Sequence, residues 1–169
     1  MKREITATWS DPEALAEAGR ALSGLELLQA IRDGRLPSPP IAQLLGFKLV
    51  EVDTGHAVFE VVPGEKHYNP IGVVHGGLAM TLLDSAMGCA VHSRMPAGGA
   101  YTTLEAKTNL VRAITSKTGP LRAVGKVVHL GSRVATAEGR LVDAAGKLNA
   151  HATTTCIVLG KSSPPARPG

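Results

Sequence analysis

One apolar segment, HGGLAMTLLDSAMGCAVHSR at residues 75–94, constrains the fold of this chain more than any other feature. Its apolar side chains fall on every side of a helical wheel, which predicts a helix over residues 75–93 that is buried on nearly all faces. A sheet of five strands wrapped around one central helix would bury it in that way. Asp84 lies in the middle of this run, where a carboxylate is rarely buried without a partner. A structural hydrogen bond or a chemical role can account for it, and its place inside the helix argues against an N-cap.

Strand patterns lie on both sides of this helix. An alternating strand is predicted at GHAVFEVVP, residues 55–63. Four more strands are predicted after the helix, at about 101–112, 120–130, 133–143 and 147–159. Gly131-Ser132 and Ala145-Gly146 supply hairpin turns. Because consecutive strands joined by hairpins pair antiparallel, the sequence predicts an α+β fold.

The two ends of the chain differ from this central part. Residues 1–40 are predicted to form a helical extension that starts with Asp11 as N-cap and Pro12 at the first helical position. Residues 41–160 form the main domain, and the Pro-rich residues 161–169 are predicted to be a disordered tail. No secretory signal and no apolar run of about 18 residues is present, so a cytoplasmic protein without membrane contact is expected.

Composition excludes several classes of function. With two cysteines and no CxxC or HExxH motif, neither a disulfide scaffold nor a metal site is expected. Residues 1–93 hold 7 Lys/Arg and 11 Asp/Glu, whereas residues 94–147 hold 9 and 3. A basic half can face nucleic acid, a polyphosphate ligand or solvent. Aromatic residues make up only 3%, which disfavours a nucleic-acid partner because no stacking series is present.

The start of the long helix is a candidate anion site. NPIGVVHGG, residues 69–77, places two glycines there, and glycine lets a ligand approach the backbone closely. The free N–H groups of a helix start, helped by the helix dipole, bind phosphate or a developing oxyanion. Together with His75 before the glycines and Asp84 after them, this pattern indicates a catalytic site.

The stretch NPIGVVHGGLAMTLLDSAMG resembles the signature of hot-dog-fold acyl-CoA thioesterases of the phenylacetate-pathway (PaaI) type, and the resemblance extends over residues 41–159. It implies a hot-dog fold in which an antiparallel sheet wraps one central helix. It also implies that Asp84 is the nucleophile or the base that activates water, and that the Gly76 N–H is the oxyanion donor. Asn69 would position the thioester or water, and Thr103 would be the helper hydroxyl, with the adjacent Thr102 as the alternative.

The same resemblance implies where coenzyme A (CoA) would lie. Its arm would follow the strand ends near Arg112 and the turn that contains His129, Gly131, Ser132 and Arg133, with Gly77 also at the substrate. CoA is then part of the substrate, and no separate cofactor is expected. His75 can act as a base or make a structural hydrogen bond.

Geometry predicts that each site is built from two chains. Gly76 and Asp84 are eight residues apart, which is about 12 Å along a helix axis. One helix cannot place both at a single thioester, whereas two antiparallel helices across a two-fold axis can. A homodimer with shared sites is therefore expected, as the resemblance also implies. A dimer of dimers is expected as the assembly, although the sequence does not decide between dimer and tetramer.

Two other functions remain open. One is a hot-dog dehydratase or hydratase, whose His–acid arrangement has no counterpart in this sequence. The other is a non-catalytic acyl-CoA-binding regulator, which has little reason to keep Asp84. An α/β-hydrolase is disfavoured because no GxSxG motif is present.

Overall fold

The fold is an antiparallel sheet packed on one long helix. A computed structural model describes residues 2–159, so the predicted disordered tail at 161–169 lies outside the described residues. The elements are, in order, α1 (Pro12–Gly19), α2 (Gly24–Arg32), α3 (Pro40–Leu45), β1 (Phe47–Asp53), β2 (His56–Val61), α4 (Gly76–His92), β3 (Ala100–Leu110), β4 (Leu121–Leu130), β5 (Val134–Asp143) and β6 (Leu148–Leu159). A 3-10 turn at Glu65–His67 lies between β2 and α4.

The sheet has six strands in the order β1-β2-β4-β5-β6-β3, and every neighbouring pair is antiparallel. The α+β prediction is confirmed, and the expectation of five strands is wrong by one, since β1 was missed. A β-bulge between Leu49 and Glu51 explains the miss. The buried residues of β1 change there from odd to even positions, so Phe47, Leu49 and Val52 face the core without strict alternation.

Helix α4 lies against the middle of the sheet and forms the centre of the core. At Gly125 of β4 the helix backbone comes so close that an added Cβ would collide with the carbonyl group of Ala86. Glycine at this position therefore allows the helix to touch the strand directly. The surrounding core is made mostly of small and aliphatic side chains, among them Leu82, Leu83, Leu121 and Leu141, all fully buried.

One face of α4 is open in the isolated chain. Asp84 is exposed, and Met80, one turn before it, is 47% exposed. The expectation that the sheet buries this helix on nearly all sides is therefore wrong for a single chain, because β3 is the last strand and leaves a groove beside the helix. Among residues 2–159, no helix combines the length and the apolar character that crossing a membrane requires.

The N-terminal helices pack onto the main domain. Asp11 accepts a hydrogen bond from the Glu13 N–H with Pro12 at the helix start, as predicted, and Ser23 and Glu26 form a capping box at α2. Helix α2 lies against β1, and α3 spans the predicted boundary between residues 40 and 41. The extension therefore covers one edge of the sheet.

Candidate active site

Asp84 meets the sheet through one hydrogen bond. The Thr103 hydroxyl of β3 donates to the Asp84 carboxylate, with 3.0 Å between Oγ1 and Oδ1. Side chains alternate along a strand, so the neighbouring Thr102 points to the opposite face, where it is exposed. Of the two adjacent threonines, Thr103 is thus the one beside the carboxylate.

A groove of about 290 Å³ opens next to this pair. It is lined by Met80, Thr81, Asp84, Ala106 and Thr108, so it runs between α4 and β3. Thr103 and Ala106 both face the helix although they are three positions apart, because β3 has a bulge between Thr103 and Glu105. The bulge therefore aligns the strand with the open face of the helix on both sides of the carboxylate.

The first turn of α4 presents a free backbone donor. His75 is the N-cap, and its Nδ1 accepts the Gly77 N–H at 2.8 Å. This hydrogen bond uses the Gly77 N–H, the group that would otherwise be available to a ligand, and makes the Nδ1 of His75 structural. The Gly76 N–H has no acceptor within residues 2–159, as expected for a first-turn donor. Gly76 therefore retains the donor that an oxyanion needs.

Asn69 lies beside this helix start. Asn69, Gly76 and Arg112 line one cleft of about 330 Å³, together with Leu110 and other apolar residues. The Asn69 Oδ1 accepts the N–H groups of Ile71 and Val73 at 3.1 and 3.3 Å, so these hydrogen bonds shape the loop before α4. Arg112 is half-exposed and lies 3.8 Å from the Asp143 carboxylate.

The predicted CoA residues fall into two places in one chain. Arg112 donates its N–H to Asn149 at one end of β6, whereas the turn with His129, Gly131, Ser132 and Arg133 joins β6 at Val158. Asn149 and Val158 are nine positions apart along β6, which is about 30 Å. A single chain therefore does not bring Arg112 together with that turn, and likewise separates the Gly76 cleft from Asp84.

Behind Asp84 lie groups that sequence reasoning did not select. Tyr101, two residues before Thr103 on β3, covers Gly88 of α4, and a Cβ there would collide with its hydroxyl. Burial raises the pKa of the Cys89 thiol to about 12, and the Asp84 charge adds to the shift. Burial likewise raises the pKa of Tyr101. A glycine inside an apolar helix is the sequence signal that could have indicated this close contact.

Comparison with known proteins shows the family to which this chain belongs. The profile of the Thioesterase superfamily matches residues 71–150, which run from the loop before α4 into β6. A protein of Saccharolobus solfataricus, provisionally named an esterase, is 31% identical over 132 residues, which cover 78% of this chain and 92% of that protein. The chain belongs to the thioesterase superfamily.

Two further relatives of this thioesterase are informative. The structure of a mutant of the phenylacetic acid degradation protein PaaI from Thermus thermophilus is 30% identical, with a TM-score of 0.65 over 72% of this chain and 100% of that one. The 1,4-dihydroxy-2-naphthoyl-CoA hydrolase of Listeria monocytogenes is 24% identical over 121 residues, or 72% of this chain and 97% of that enzyme. The fold of the thioesterase is accordingly the hot-dog fold.

Proposed function

We propose that this thioesterase hydrolyses acyl-CoA thioesters, with Asp84 as nucleophile or general base and the Gly76 N–H as oxyanion donor. The observation that carries the proposal is the Thr103–Asp84 hydrogen bond on the open face of α4, with a groove beside it. The hydroxyl orients the carboxylate and leaves its other oxygen for the substrate or a water molecule. The names of relatives that act on CoA thioesters support the choice of substrate.

Thioester hydrolysis needs both the Gly76 N–H and the Asp84 carboxylate. Attack on the thioester carbonyl puts negative charge on its oxygen, and a preorganised N–H donor there contributes about 2.7–4 kcal/mol. The Gly76 N–H and the helix dipole of α4 are suited to this charge. The attack itself takes one of two forms: the carboxylate adds to the carbonyl carbon, or it removes a proton from a water molecule that adds to this carbon. The thiolate of CoA leaves in both cases.

The Gly76 N–H and the Asp84 carboxylate come together when two chains pair. Strand β3 is an open sheet edge of 11 residues without proline, and its Leu104 and Leu110 are 60% and 49% exposed. Val111, directly after the strand, is 53% exposed. An edge of this kind is a template for strand pairing. Antiparallel pairing of β3 with its copy about a two-fold axis near Met80 brings Asp84 to Gly76 of the partner subunit. The second copy is thus the occupant that completes the site.

The same pairing brings the CoA residues closer. In an antiparallel β3 pair, the strand end that carries Arg112 of the partner subunit lies beside the start of β3. The turn with His129, Gly131, Ser132 and Arg133 lies two strands away on that side, because Arg133 is bonded to Val158 and Val158 pairs with Tyr101. Arg112 and Arg133 then both suit the phosphates of one CoA molecule.

The substitution Asp84→Asn tests the proposal. It keeps the volume of the side chain and removes its basicity, so turnover of acyl-CoA should fall by about two decades or more with binding nearly intact. Thiol release is followed with a thiol reagent, and binding of CoA by calorimetry. Glu138→Gln, on the exposed face of β5, is the matched control and should retain turnover.

The outcome also separates the alternatives. An Asp84→Asn variant within threefold of the wild type would contradict the assignment of the carboxylate. Wild-type protein that binds acyl-CoA and releases no thiol would favour the non-catalytic regulator. A single turnover in isotopically labelled water bears on the two roles of Asp84. General-base catalysis must place the label in the first molecule of acid, whereas an unlabelled first acid requires an acyl–Asp84 anhydride that water opens at the aspartyl carbonyl.

A further inference from the structure

Tyr101 stands between the carboxylate and a second cavity. Two residues along β3, Thr103 bonds Asp84, and on the other side the Tyr101 ring lies 5.8 Å from the ring of His92. His92 and Ala100 line a solvent-open cavity of about 240 Å³, to which the N-terminal extension contributes Arg20 and Leu27 among other residues. Tyr101, with the His92 ring beyond it, thus lies between the carboxylate and this cavity.

Gly88 is what allows the tyrosine to sit there. Gly88 lies one turn after Asp84 on nearly the same face of α4, and any side chain at this position would occupy the space of the Tyr101 hydroxyl. The distance from Asp84 to Gly88 is about 6 Å along the axis. This is the length of roughly five carbon–carbon bonds of about 1.5 Å in a zigzag chain.

The cavity behind Tyr101 suits an alkyl chain. The Nδ1 of His92 is buried and has no hydrogen-bond partner within residues 2–159, and burial lowers the pKa of His92, so its ring is neutral near neutral pH. The walls that the N-terminal extension contributes include the apolar Ala16, Leu22 and Leu27, with Arg20 as their charged member. The N-terminal extension thus contributes a mostly apolar space on the His92 side of Tyr101.

We infer that Tyr101 ends the acyl-binding site, so that it limits the length of the acyl group, and that the cavity under the N-terminal extension is the space it closes off. The inference rests on the proposed function, since it takes Asp84 as the position of the thioester. An acyl group then runs from the carboxylate toward Gly88 and stops at Tyr101, which covers that glycine. Acyl groups that extend no further than one turn of α4 from Asp84 are accepted, and longer straight acyl chains are rejected.

The test uses non-hydrolysable S-alkyl-CoA thioethers with butyl, hexyl, octyl and decyl chains, whose affinities are measured by calorimetry. For the wild type, affinity should stop rising once the chain reaches Tyr101. In Tyr101→Ala the affinity should continue to rise with chain length, so that decyl-CoA binds at least about tenfold more tightly than butyl-CoA does. Tyr101→Phe keeps the ring and should keep the limit. Tyr101→Leu replaces the alanine variant if the latter does not fold.

A second substitution locates the new space. Leu27→Trp fills the cavity from α2 and, combined with Tyr101→Ala, should abolish the gain for decyl-CoA. A length profile that is the same in Tyr101→Ala and the wild type would overturn the inference and place the chain over Met80 and Ala106. Because thioethers are not hydrolysed, this result is independent of whether Asp84→Asn retains turnover.

Discussion

At the scale of single residues, Asp84 is held by α4 and contacted by β3 through one side-chain hydrogen bond. The carboxylate is exposed in the single chain, so its charge is in contact with solvent and does not require a buried partner. A hydroxyl that donates to one oxygen fixes the rotation of the group and directs the other oxygen toward the groove. We therefore propose Thr103 as a positioning residue for Asp84.

The substitution Thr103→Val should lower kcat by about ten- to a hundredfold, because a hydrogen bond to a charged group contributes about 1.5–3 kcal/mol. Thr103→Ser keeps the hydroxyl and should retain most of the rate. Thr102→Val is the matched control on the opposite face of β3. Equal losses in Thr102→Val and Thr103→Val would show that only the stability of the strand had changed.

At the scale of elements, the 3-10 turn at Glu65–His67 joins α3 to the start of α4. The buried His67 ring accepts the Gly64 N–H at Nδ1, at 3.0 Å, and its Nε2–H donates to the Leu45 carbonyl at 2.9 Å. The His67 carbonyl in turn accepts the N–H of His75, the N-cap of α4. A neutral imidazole therefore helps to hold the helix start that carries Gly76.

Stability should consequently fall in mild acid. Burial lowers the pKa of His67, which means that protonation favours the unfolded chain. The contribution is present above the ordinary histidine pKa and is lost as the pH falls below it, between about pH 7 and pH 5. Thermal unfolding of His67→Asn should depend less on pH in this window, while the exposed His129→Asn should behave as the wild type. Burial also lowers the pKa of His92, and this residue accounts for part of the remaining pH dependence of stability.

At the scale of the whole molecule, the two edges of the sheet are treated differently. Strand β1 is covered by α2 and α3, whereas β3 at the other edge is open and carries exposed apolar side chains. Proteins cover or charge their free edges, and an open apolar edge is a site of pairing. The proposed homodimer uses this edge and would place an active site on each side of the two-fold axis.

Subunit mixing tests the shared site. Asn69→Ala and Asp84→Ala chains should each be nearly inactive alone, since Asn69 lies beside Gly76 and each site needs both ends. In a mixed dimer one site carries both lesions and the other carries neither, so activity should return toward half of the wild type per heterodimer. Confirmed heterodimers that stay as inactive as their parents would mean that Asp84 works with a donor on its own chain.

Local patterns were sufficient for most elements of this chain. The helix predicted at 75–93 is α4, Gly76–His92, and the strands predicted after it correspond to β3 through β6. Periodicity, caps and turn residues act between near neighbours, so the sequence alone carries them. For the same reason the motif around Gly76 and Asp84 could be selected without a structure, although the catalytic roles of these residues remain a prediction.

Contacts between distant segments decided the rest. The bulge in β1 interrupts the alternation by which this strand could have been predicted. The bulge in β3 places Thr103 beside Asp84, and the position of β3 at the edge of the sheet leaves one face of α4 open. The packing of Tyr101 on Gly88 likewise joins a strand and a helix. None of these contacts is determined by the residues next to it in the chain. They depend on which strand pairs with which, and pairing is settled only when the whole core is packed.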